Sequence, residues 1–578
     1  MNERLEEIRR KKEEWREKHG VPDTIKFYTP ADIKDFDFLE KVGFPGEYPF
    51  AACSYPYPMT SNVLMMKEAL TGVPSAQQLL TATGRAGMYS GYGSPEDTRD
   101  FYTEFRAKGM YGGGPNVAFD LPTQCGYDSD NPMARGEVGR VGVSIDTLRD
   151  FEVLYEAFID DMEIDKTSSN FTINAPCNII FGMYLALADE RGIPWDQLRA
   201  TPQNDILKEF IARGTYIFSP KLSMRMFRDS LVFFTEHCPR VNITSIGGYH
   251  IREAGATREQ DLGWSMAIGA AYLQEGIDAG LEIDQFARRF TFNRFGGSME
   301  FFKEIAFQRA SRRMWAKLLK ERFHSKNPRS MTIRQVSGAG IGPSDLTKQR
   351  PLNNLTRTIV GAFACALSGG PPAVFPAYDE PLGLGWSAEA QQLQWDAMLI
   401  LLLEAGLNDV VDPFAGSYYM EYLTDEIEEA SWEEYNKVED MGGAVEAIEN
   451  GYIQRELARS AHKTQNKIER GEKLIVGVNC FASEKELEVI PPRSVPYPYD
   501  PVKRERAEEK QLANLKEVKR KRDNQKVTLL LEELEKAAKN EEENLFPYFI
   551  RCAKAYVTEQ EQCDVLRCVF GEYKAVAL

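Results

Sequence analysis

The chain has 578 residues, of which 43% are hydrophobic and 11% aromatic, so it is predicted to bury a large core and to be globular. Its net charge of −17 argues against non-specific binding to nucleic acid or to an anionic membrane, but it leaves room for an anionic substrate in a local basic pocket. The charged N-terminus does not resemble a signal peptide, and the apolar run 397–403 is too short to cross a membrane. Nine scattered cysteines without a C-x-x-C pair, and five unclustered histidines, indicate reduced thiols, a cytoplasmic protein and no metal site.

Residues 1–84 are predicted to form an N-terminal helix and an extended arm. A charged helix over residues 1–19 carries a narrow apolar stripe, which suits packing on this protein or on a partner subunit. Frequent prolines between residues 44 and 58 favour extended backbone, which either lines a channel or crosses the surface.

Residues 85–423 alternate short β-like segments with amphipathic helices such as 96–109, 260–279 and 301–319. The predicted strands are 86–92, 116–121, 170–174, 199–203, 243–249, 289–292, 331–336 and 373–377. Eight consecutive βα units predict a (β/α)8 TIM barrel.

Polar side chains cluster where several predicted strands end. Asp120, the run 203–205 and the pair Tyr249–His250 each lie where such a strand ends. The active site of a barrel lies at the carboxyl ends of its strands, so these residues are candidates for one site. The β-branched run 241–246 breaks at two glycines just before Tyr249, which marks the end of a strand. His250 after this break is about equally often a structural histidine as a functional one.

Residues 424–578 are predicted to be a helical C-terminal and linker region. Residues 484–504 are proline-rich and read as a linker, residues 504–543 form a charged helix with a solvated face, and residues 545–576 should pack as a small helical pair.

Eight stretches resemble the coenzyme-B12-dependent acyl-CoA mutases of the methylmalonyl-CoA mutase family. They occur in the family's order at residues 117–121, 126–132, 203–210, 248–255, 284–287, 412–418, 441–443 and 451–455. The resemblance runs from about residue 85 to the C-terminus. It implies a barrel that surrounds an acyl-CoA and offers its top face to adenosylcobalamin, which supplies the radical chemistry.

The resemblance also implies roles for individual residues. His250 and Gln203 would hold the thioester, Tyr249 would lie between substrate and corrin, and Tyr89 would contact both substrate and adenosyl group. Arg213 would pair with a free substrate carboxylate. The remaining acyl-CoA contacts would come from Arg289, Thr291, Val336 and Phe375, and the remaining cofactor contacts from Glu253, Glu380 and Ala118.

Arg213 is the most informative of these residues about the substrate. A planar guanidinium binds a carboxylate through two hydrogen bonds. Relatives that act on isobutyryl-CoA carry glutamine at this position, and relatives for 2-hydroxyisobutyryl-CoA carry isoleucine and aspartate in place of Tyr89 and Ala118. This chain keeps the methylmalonyl-like combination, so we expect a dicarboxylic acyl-CoA of the malonyl or succinyl type.

The sequence also departs from the family pattern. Residues 85–88 replace Thr-Ile-Arg-Gln, Val336 and Gly338 replace a histidine and a glutamine, and the eighth predicted strand, 373–377, is apolar. Each lost hydrogen bond is worth about 1 kcal/mol. We therefore expect a wider, more apolar acyl pocket that fits a bulky aryl or alkyl substituent. An ordinary methylmalonyl-CoA mutase large subunit is the alternative.

The family's cobalamin-binding domain has an Asp-x-His-x-x-Gly motif whose histidine ligates cobalt. None of the five histidines lies in that pattern. The chain is therefore expected to be the large subunit of a heterotetramer or other hetero-oligomer, with a separate small cobalamin-binding subunit. Two readings of other classes are a non-catalytic docking or scaffold subunit, and an unrelated barrel lyase or hydrolase. Retention of Tyr89, Arg213, Tyr249 and His250 argues against the first, and the lack of a metal site or carboxylate pair against the second.

Overall fold

The structure is a computed structural model. It describes residues 2–20, 27–33, 36–56, 89–107, 114–293, 297–334, 342–369, 376–382, 404–407, 410–483 and 501–573, with single positions between 387 and 401 and at 575.

Six short parallel strands follow one another along the chain and lie side by side in chain order. They are β1 Tyr89–Ser90, β2 Asn116–Ala118, β3 Ser168–Thr172, β4 Arg199–Pro202, β5 Thr244–Ile246 and β6 Phe290–Phe292. Strands β1 to β4 form one parallel sheet, and β5 pairs with β6 in a second. The two sheets are joined, because Ser245 N donates to Gln203 O at 2.8 Å and Asn242 N donates to Ala200 O at 2.9 Å. The result is a mixed helix–sheet fold with consecutive parallel strands.

Helices separate and flank the strands. The described helices of at least six residues are Asn2–His19, Pro95–Ala107, Leu148–Leu154, Cys177–Glu190, Pro220–His237, Gly248–Glu253, Arg258–Asp278, Phe301–Lys317, Asn353–Leu367, Tyr418–Glu439, Ala444–Glu449, Tyr452–Glu469, Pro501–Lys521, Asn524–Ala538, Phe546–Lys554 and Glu559–Phe570. Shorter helices span Phe38–Lys41, Leu121–Gln124, Ile283–Phe286 and Pro328–Met331, and π-helical turns span Glu209–Arg213 and Leu318–Arg322. None of the described helices combines the length and the apolar composition that a membrane crossing needs.

Local sequence explains where the helices around the site begin. Thr257 and Gln260 form a reciprocal capping box at the start of Arg258–Asp278. Ser219 accepts a hydrogen bond from Leu222 N, and Pro220 occupies the first turn of Pro220–His237. Both helices bury most of their apolar residues in the core that also holds the strands.

Three predicted strand boundaries are wrong. The strand predicted over residues 116–121 ends at Ala118, because Asp120 caps the short helix Leu121–Gln124. The strand predicted over residues 243–249 ends at Ile246, and the helix Gly248–Glu253 begins at the second glycine. The strand predicted from Met331 instead starts as the helix Pro328–Met331, because Asn327 caps it and Pro328 favours its first turn. Beyond that helix, Phe292 N donates to Arg334 O at 2.8 Å, so residue 334 lies beside β6. Residues 335–336 and 373–375, like 86–88 of the first predicted strand, lie outside the described residues.

The arm and the C-terminal helices both enter the interior. Arg312 donates to Phe50 O at 2.9 Å and to Ala51 O, and residues 50–53 are buried, so this part of the arm does not cross the surface. Phe546 stacks on Phe233 with ring centroids 4.5 Å apart. Two helices, Phe546–Lys554 and Glu559–Phe570, form in this tail as expected, and both pack on the helix Asn524–Ala538. The charged helix Pro501–Lys521 is anchored rather than fully solvated, since Gln511 donates to Asp146 Oδ2 at 2.7 Å.

Candidate active site

Side chains that follow β3, β4 and β5 share one hydrogen-bonded network. Asn174 lies two residues beyond β3, Gln203 follows β4 directly, and His250 lies in the first turn of the helix after β5. Asn174 Nδ2 donates to Gln203 Oε1 at 3.0 Å. Lys208 Nζ donates to the same oxygen and lies 3.4 Å from His250 Nδ1. The carboxyl ends of neighbouring parallel strands meet at one edge, which is why residues 76 positions apart converge here.

Gln203 is held in one orientation. It is buried, and its amide oxygen accepts hydrogen bonds from both Asn174 and Lys208. A lysine ammonium group only donates, so the amide oxygen must face it. The amide nitrogen of Gln203 is therefore the group that is turned away from Lys208.

Lys208 is fully buried between Gln203, Glu209 and His250. Its Nζ lies 3.4 Å from Glu209 Oε1. Burial lowers the pKa of Lys208 to about 8, and the nearby Arg213 acts in the same direction, although Glu209 and Asp205 oppose the shift. A buried lysine whose pKa is lowered this far, so that its charge is lost just above neutral pH, is typical of functional sites.

His250 is fixed through the end of β5. Its Nδ1 lies 3.2 Å from Gly247 O, and its ring centroid lies 3.8 Å from that of Tyr249. Gly247 N in turn donates to Asp205 Oδ2 at 2.8 Å, and Tyr272 OH donates to Asp205 Oδ1 at 2.9 Å. Burial raises the pKa of Asp205, while Lys208 and these hydrogen bonds favour its charged form. Both His250 and Tyr249 are half-buried, so they can meet a ligand.

Arg213 lies at the end of the π-helical turn and extends the same network. Its Nη2 donates to Gln124 Oε1 at 3.0 Å, and its Nη1 lies 3.5 Å from Glu209 Oε1. That glutamate oxygen also accepts from Asn174 Nδ2 at 2.6 Å, and Thr215 Oγ1 donates to Glu209 Oε2 at 2.6 Å. A guanidinium has five N–H donors, so it retains capacity for an anion.

The network has different chemistry at its two ends. At one end Gln203 and His250 can donate to a carbonyl oxygen, and at the other Arg213 carries a positive charge. Such a site suits a ligand with both a carbonyl group and a carboxylate. The sequence matches the family model described as methylmalonyl-CoA mutase over residues 20–572.

The chain belongs to the methylmalonyl-CoA mutase family. This membership confirms the resemblance inferred from the sequence motifs. The relatives of the chain are acyl-CoA mutases, which are isomerases.

Individual relatives of the family agree with this membership. The chain is 35% identical over 553 residues to the 2-hydroxyisobutanoyl-CoA mutase large subunit of Aquincola tertiaricarbonis, covering 95% of this chain and 90% of that protein. It is 36% identical over 492 residues to the mitochondrial methylmalonyl-CoA mutase of Homo sapiens, covering 84% of this chain and 62% of that protein. A methylmalonyl-CoA mutase large subunit of Streptomyces virginiae is 34% identical over 556 residues, covering 94% of this chain and 70% of that protein. The chain thus spans less than two thirds of the human mutase.

Four more residues with roles implied by the family resemblance lie in described parts of the chain. Ala118 ends β2 and is buried, and the next carbonyl, Phe119 O, accepts from Gln124 Nε2 at 2.6 Å. Tyr89 begins β1 opposite Asn116. Glu253 ends the helix that carries His250, and its Oε2 accepts from Ser344 N at 2.8 Å. Glu380 opens a short 3-10 turn.

The two described residues expected to bind CoA, Arg289 and Thr291, make their printed hydrogen bonds outside the network. Arg289 precedes β6, at the edge opposite His250, where it donates to Phe234 O at 2.9 Å and to Thr235 Oγ1 at 2.6 Å. Thr291 donates to Thr244 O at 2.8 Å and so links β5 to β6. Val336 and Phe375 lie outside the described residues, and the CoA-binding roles of all four stay predictions.

Four network residues were not singled out from the sequence as site residues. They are Gln124, Asn174, Lys208 and Glu209. The available signal was a lysine–glutamate pair set among Ile206, Leu207 and Phe210, an apolar context in which a charged pair must find partners. Asn174 also stands at the end of a predicted strand.

Proposed function

We propose that this chain is the substrate-binding large subunit of an adenosylcobalamin-dependent acyl-CoA mutase. The reaction would be a 1,2-shift of the CoA-thioester group that interconverts substituted succinyl-CoA and malonyl-CoA type thioesters. The observation that carries this proposal is the single network that joins Gln203 and His250 to Arg213. The names of the curated relatives, all acyl-CoA mutases, support the reaction class.

The protein's own residues would bind and orient the thioester. His250 and Gln203 donate hydrogen bonds to its carbonyl oxygen, where charge and spin density accumulate during the shift. Arg213 pairs with the free carboxylate and fixes the other end of the acyl group. Two fixed ends restrain a reactive substrate during the rearrangement.

The cofactor would lie above the same edge. When bound, adenosylcobalamin supplies the radical chemistry that removes a substrate hydrogen. The half-buried ring of Tyr249, packed on His250, fits a role as the surface between substrate and cofactor, with Tyr89, Ala118, Glu253 and Glu380 as the other proposed contacts.

The cobalt ligand would come from a partner. None of the five histidines of this chain lies in the family's Asp-x-His-x-x-Gly motif, whose histidine would ligate cobalt. Two relatives are named large subunits, which implies a small subunit in those enzymes. We therefore propose a small cobalamin-binding subunit as the partner of this chain in a hetero-oligomer.

The proposed architecture follows the sequence boundaries. Residues 85–423 would form a (β/α)8 barrel, residues 1–84 a helix and arm, and residues 424–578 a helical C-terminal region. Six consecutive parallel strands in chain order support the barrel, and so does residue 334 lying next to β6.

The substrate class can be tested by comparing acyl-CoAs. With the cobalamin-binding subunit and adenosylcobalamin present, kcat/KM is measured for methylmalonyl-CoA, an aryl- or alkylsuccinyl-CoA, isobutyryl-CoA and 2-hydroxyisobutyryl-CoA. We expect the dicarboxylic substrates to react, and the substituted succinyl-CoA fastest. Faster turnover of methylmalonyl-CoA would refute the wide-pocket hypothesis drawn from Val336, Gly338 and residues 373–377. Preference for a monocarboxylic thioester would refute the proposed role of Arg213 in binding a carboxylate.

A further inference from the structure

Lys208 occupies an unusual position for a lysine. Of the lysines in the described ranges, it alone is buried, and its side chain is 0% exposed. A buried ammonium group is costly unless it is paired and hydrogen-bonded. Its contacts, however, are the two side chains proposed to hold the thioester, Gln203 and His250, as well as Glu209.

The contacts of His250 allow two arrangements of its ring proton. Nδ1 lies 3.2 Å from Gly247 O, an acceptor, and 3.4 Å from Lys208 Nζ, a donor when charged. A neutral imidazole carries one N–H, so Nδ1 cannot serve both partners. If Nδ1 donates to Gly247 O, then Nε2 has no hydrogen to offer. If Nδ1 accepts from Lys208, then Nε2 carries the hydrogen.

We propose that Lys208 is a positioning residue that sets the tautomer of His250 and the amide orientation of Gln203, an inference that rests on the proposed function. The charged ammonium group donates to His250 Nδ1, which leaves the hydrogen on Nε2 for the thioester oxygen. The same group holds Gln203 Oε1, so the amide nitrogen of Gln203 faces the ligand.

This arrangement depends on the charge of Lys208. The groups that face it are Asp205, Glu209, Arg213 and His250, with Tyr272 on the far side of Asp205. Burial and Arg213 lower the pKa of Lys208, and Glu209 and Asp205 limit the shift. Only the ammonium form of Lys208 can donate to His250 Nδ1. The Nε2–H tautomer of His250 is therefore favoured below about pH 8 and is lost as the pH rises through the pKa of Lys208, about 8.

The tautomer can be observed in the full chain without cofactor. The chain is labelled with 15N-histidine, and the His250 signals are assigned among five histidines with a His250→Gln variant. At pH 7 we expect the neutral Nε2–H form in the wild type and in Lys208→Arg, and the Nδ1–H form in Lys208→Met. Lys221→Met is the control, because Lys221 is exposed and pairs with Glu446 and Glu449. An unchanged tautomer in a folded Lys208→Met variant would refute the proposal. If Lys208→Met does not fold, the wild type is titrated between pH 7 and pH 9 instead. We expect the Nε2–H form of His250 to be lost over that range, and its persistence at pH 9 would refute the proposal.

Kinetics then separate this inference from the proposed function. In the complete enzyme, Lys208→Met should lower kcat by roughly 10²-fold, as for loss of one donor to developing charge, and change KM by less than about threefold. The wild-type rate should fall above about pH 8, and Lys208→Arg should move that decline to higher pH because arginine stays charged. No turnover by the wild type would contradict the proposed function. Wild-type turnover with a pH profile that both variants share would contradict the role of Lys208.

Discussion

Replacing Arg213 with glutamine should selectively lower kcat/KM for dicarboxylic acyl-CoAs. Arg213→Gln removes the positive charge proposed to meet the substrate carboxylate and keeps a polar amide. Glu209 loses a partner at 3.5 Å but keeps Asn174 and Thr215, each at 2.6 Å, so the fold should survive.

The expected loss follows from the burial of the pair. Leaving one member of a buried ion pair without its partner costs about 3–5 kcal/mol. The Arg213 side chain is 23% exposed, so solvent screening reduces this to roughly 2–4 kcal/mol. At about 1.36 kcal/mol per tenfold change, kcat/KM for a dicarboxylic acyl-CoA should fall by about 30- to 900-fold.

The assay compares a dicarboxylic substrate with isobutyryl-CoA in the complete enzyme. Isobutyryl-CoA has no free carboxylate, so its kcat/KM should stay within about threefold or rise. Arg228→Gln serves as the matched control, because that partly exposed arginine lies 3.9 Å from Glu275, outside the network. Equal losses for both substrates, or no loss for the dicarboxylic one, would show that Arg213 does not meet a carboxylate.

Two further predictions concern stability. Burial, and then the neighbouring Asp128, raises the pKa of Glu559 well above its ordinary range, so its contribution to stability is present at low pH and is lost as the pH rises. Glu559→Gln should therefore raise the thermal midpoint at pH 8 and flatten its pH dependence in calorimetry. Glu561→Gln should instead lower the thermal midpoint, because Arg522 holds the pKa of Glu561 low despite burial; equal shifts for the two variants would contradict the assignment. Phe546→Ala should lower the free energy of unfolding in urea by about 3–5 kcal/mol, because Phe546 is fully buried. Phe481→Ala should lower it by less than about 0.5 kcal/mol, because Phe481 is 81% exposed. Similar losses for the two variants would show that the C-terminal helices are not part of the core.

Much of the strand order could be predicted from the sequence because it follows from local pattern. Apolar segments with β-branched or aromatic residues coincide with β2 to β6, and capping residues mark the helices between them. The wrong boundaries lie where a local helix signal outweighs the strand pattern. Pro328 after Asn327 favours a helix start, and the two glycines before Tyr249 allow the chain to turn into a helix.

The site could be predicted only in part. Gln203 and His250 were found because strand ends gather at one edge, and the network confirms that they converge. The position of Lys208 depends on contacts across strands, and flanking apolar residues give no indication that its amine meets His250. The engagement of Arg289 with Phe234 O and Thr235 likewise depends on tertiary packing, which no motif in the sequence records.

The central claim is that this chain positions an acyl-CoA for a radical rearrangement with a cobalamin-binding partner. Electron paramagnetic resonance on the chain mixed with that partner, adenosylcobalamin and a dicarboxylic acyl-CoA tests it most directly. We predict a signal from a substrate-derived radical coupled to a second paramagnetic centre, which disappears when this chain or the acyl-CoA is omitted and weakens in His250→Gln. The absence of any such signal with every dicarboxylic acyl-CoA, while the partner demonstrably binds the chain, would contradict the claim.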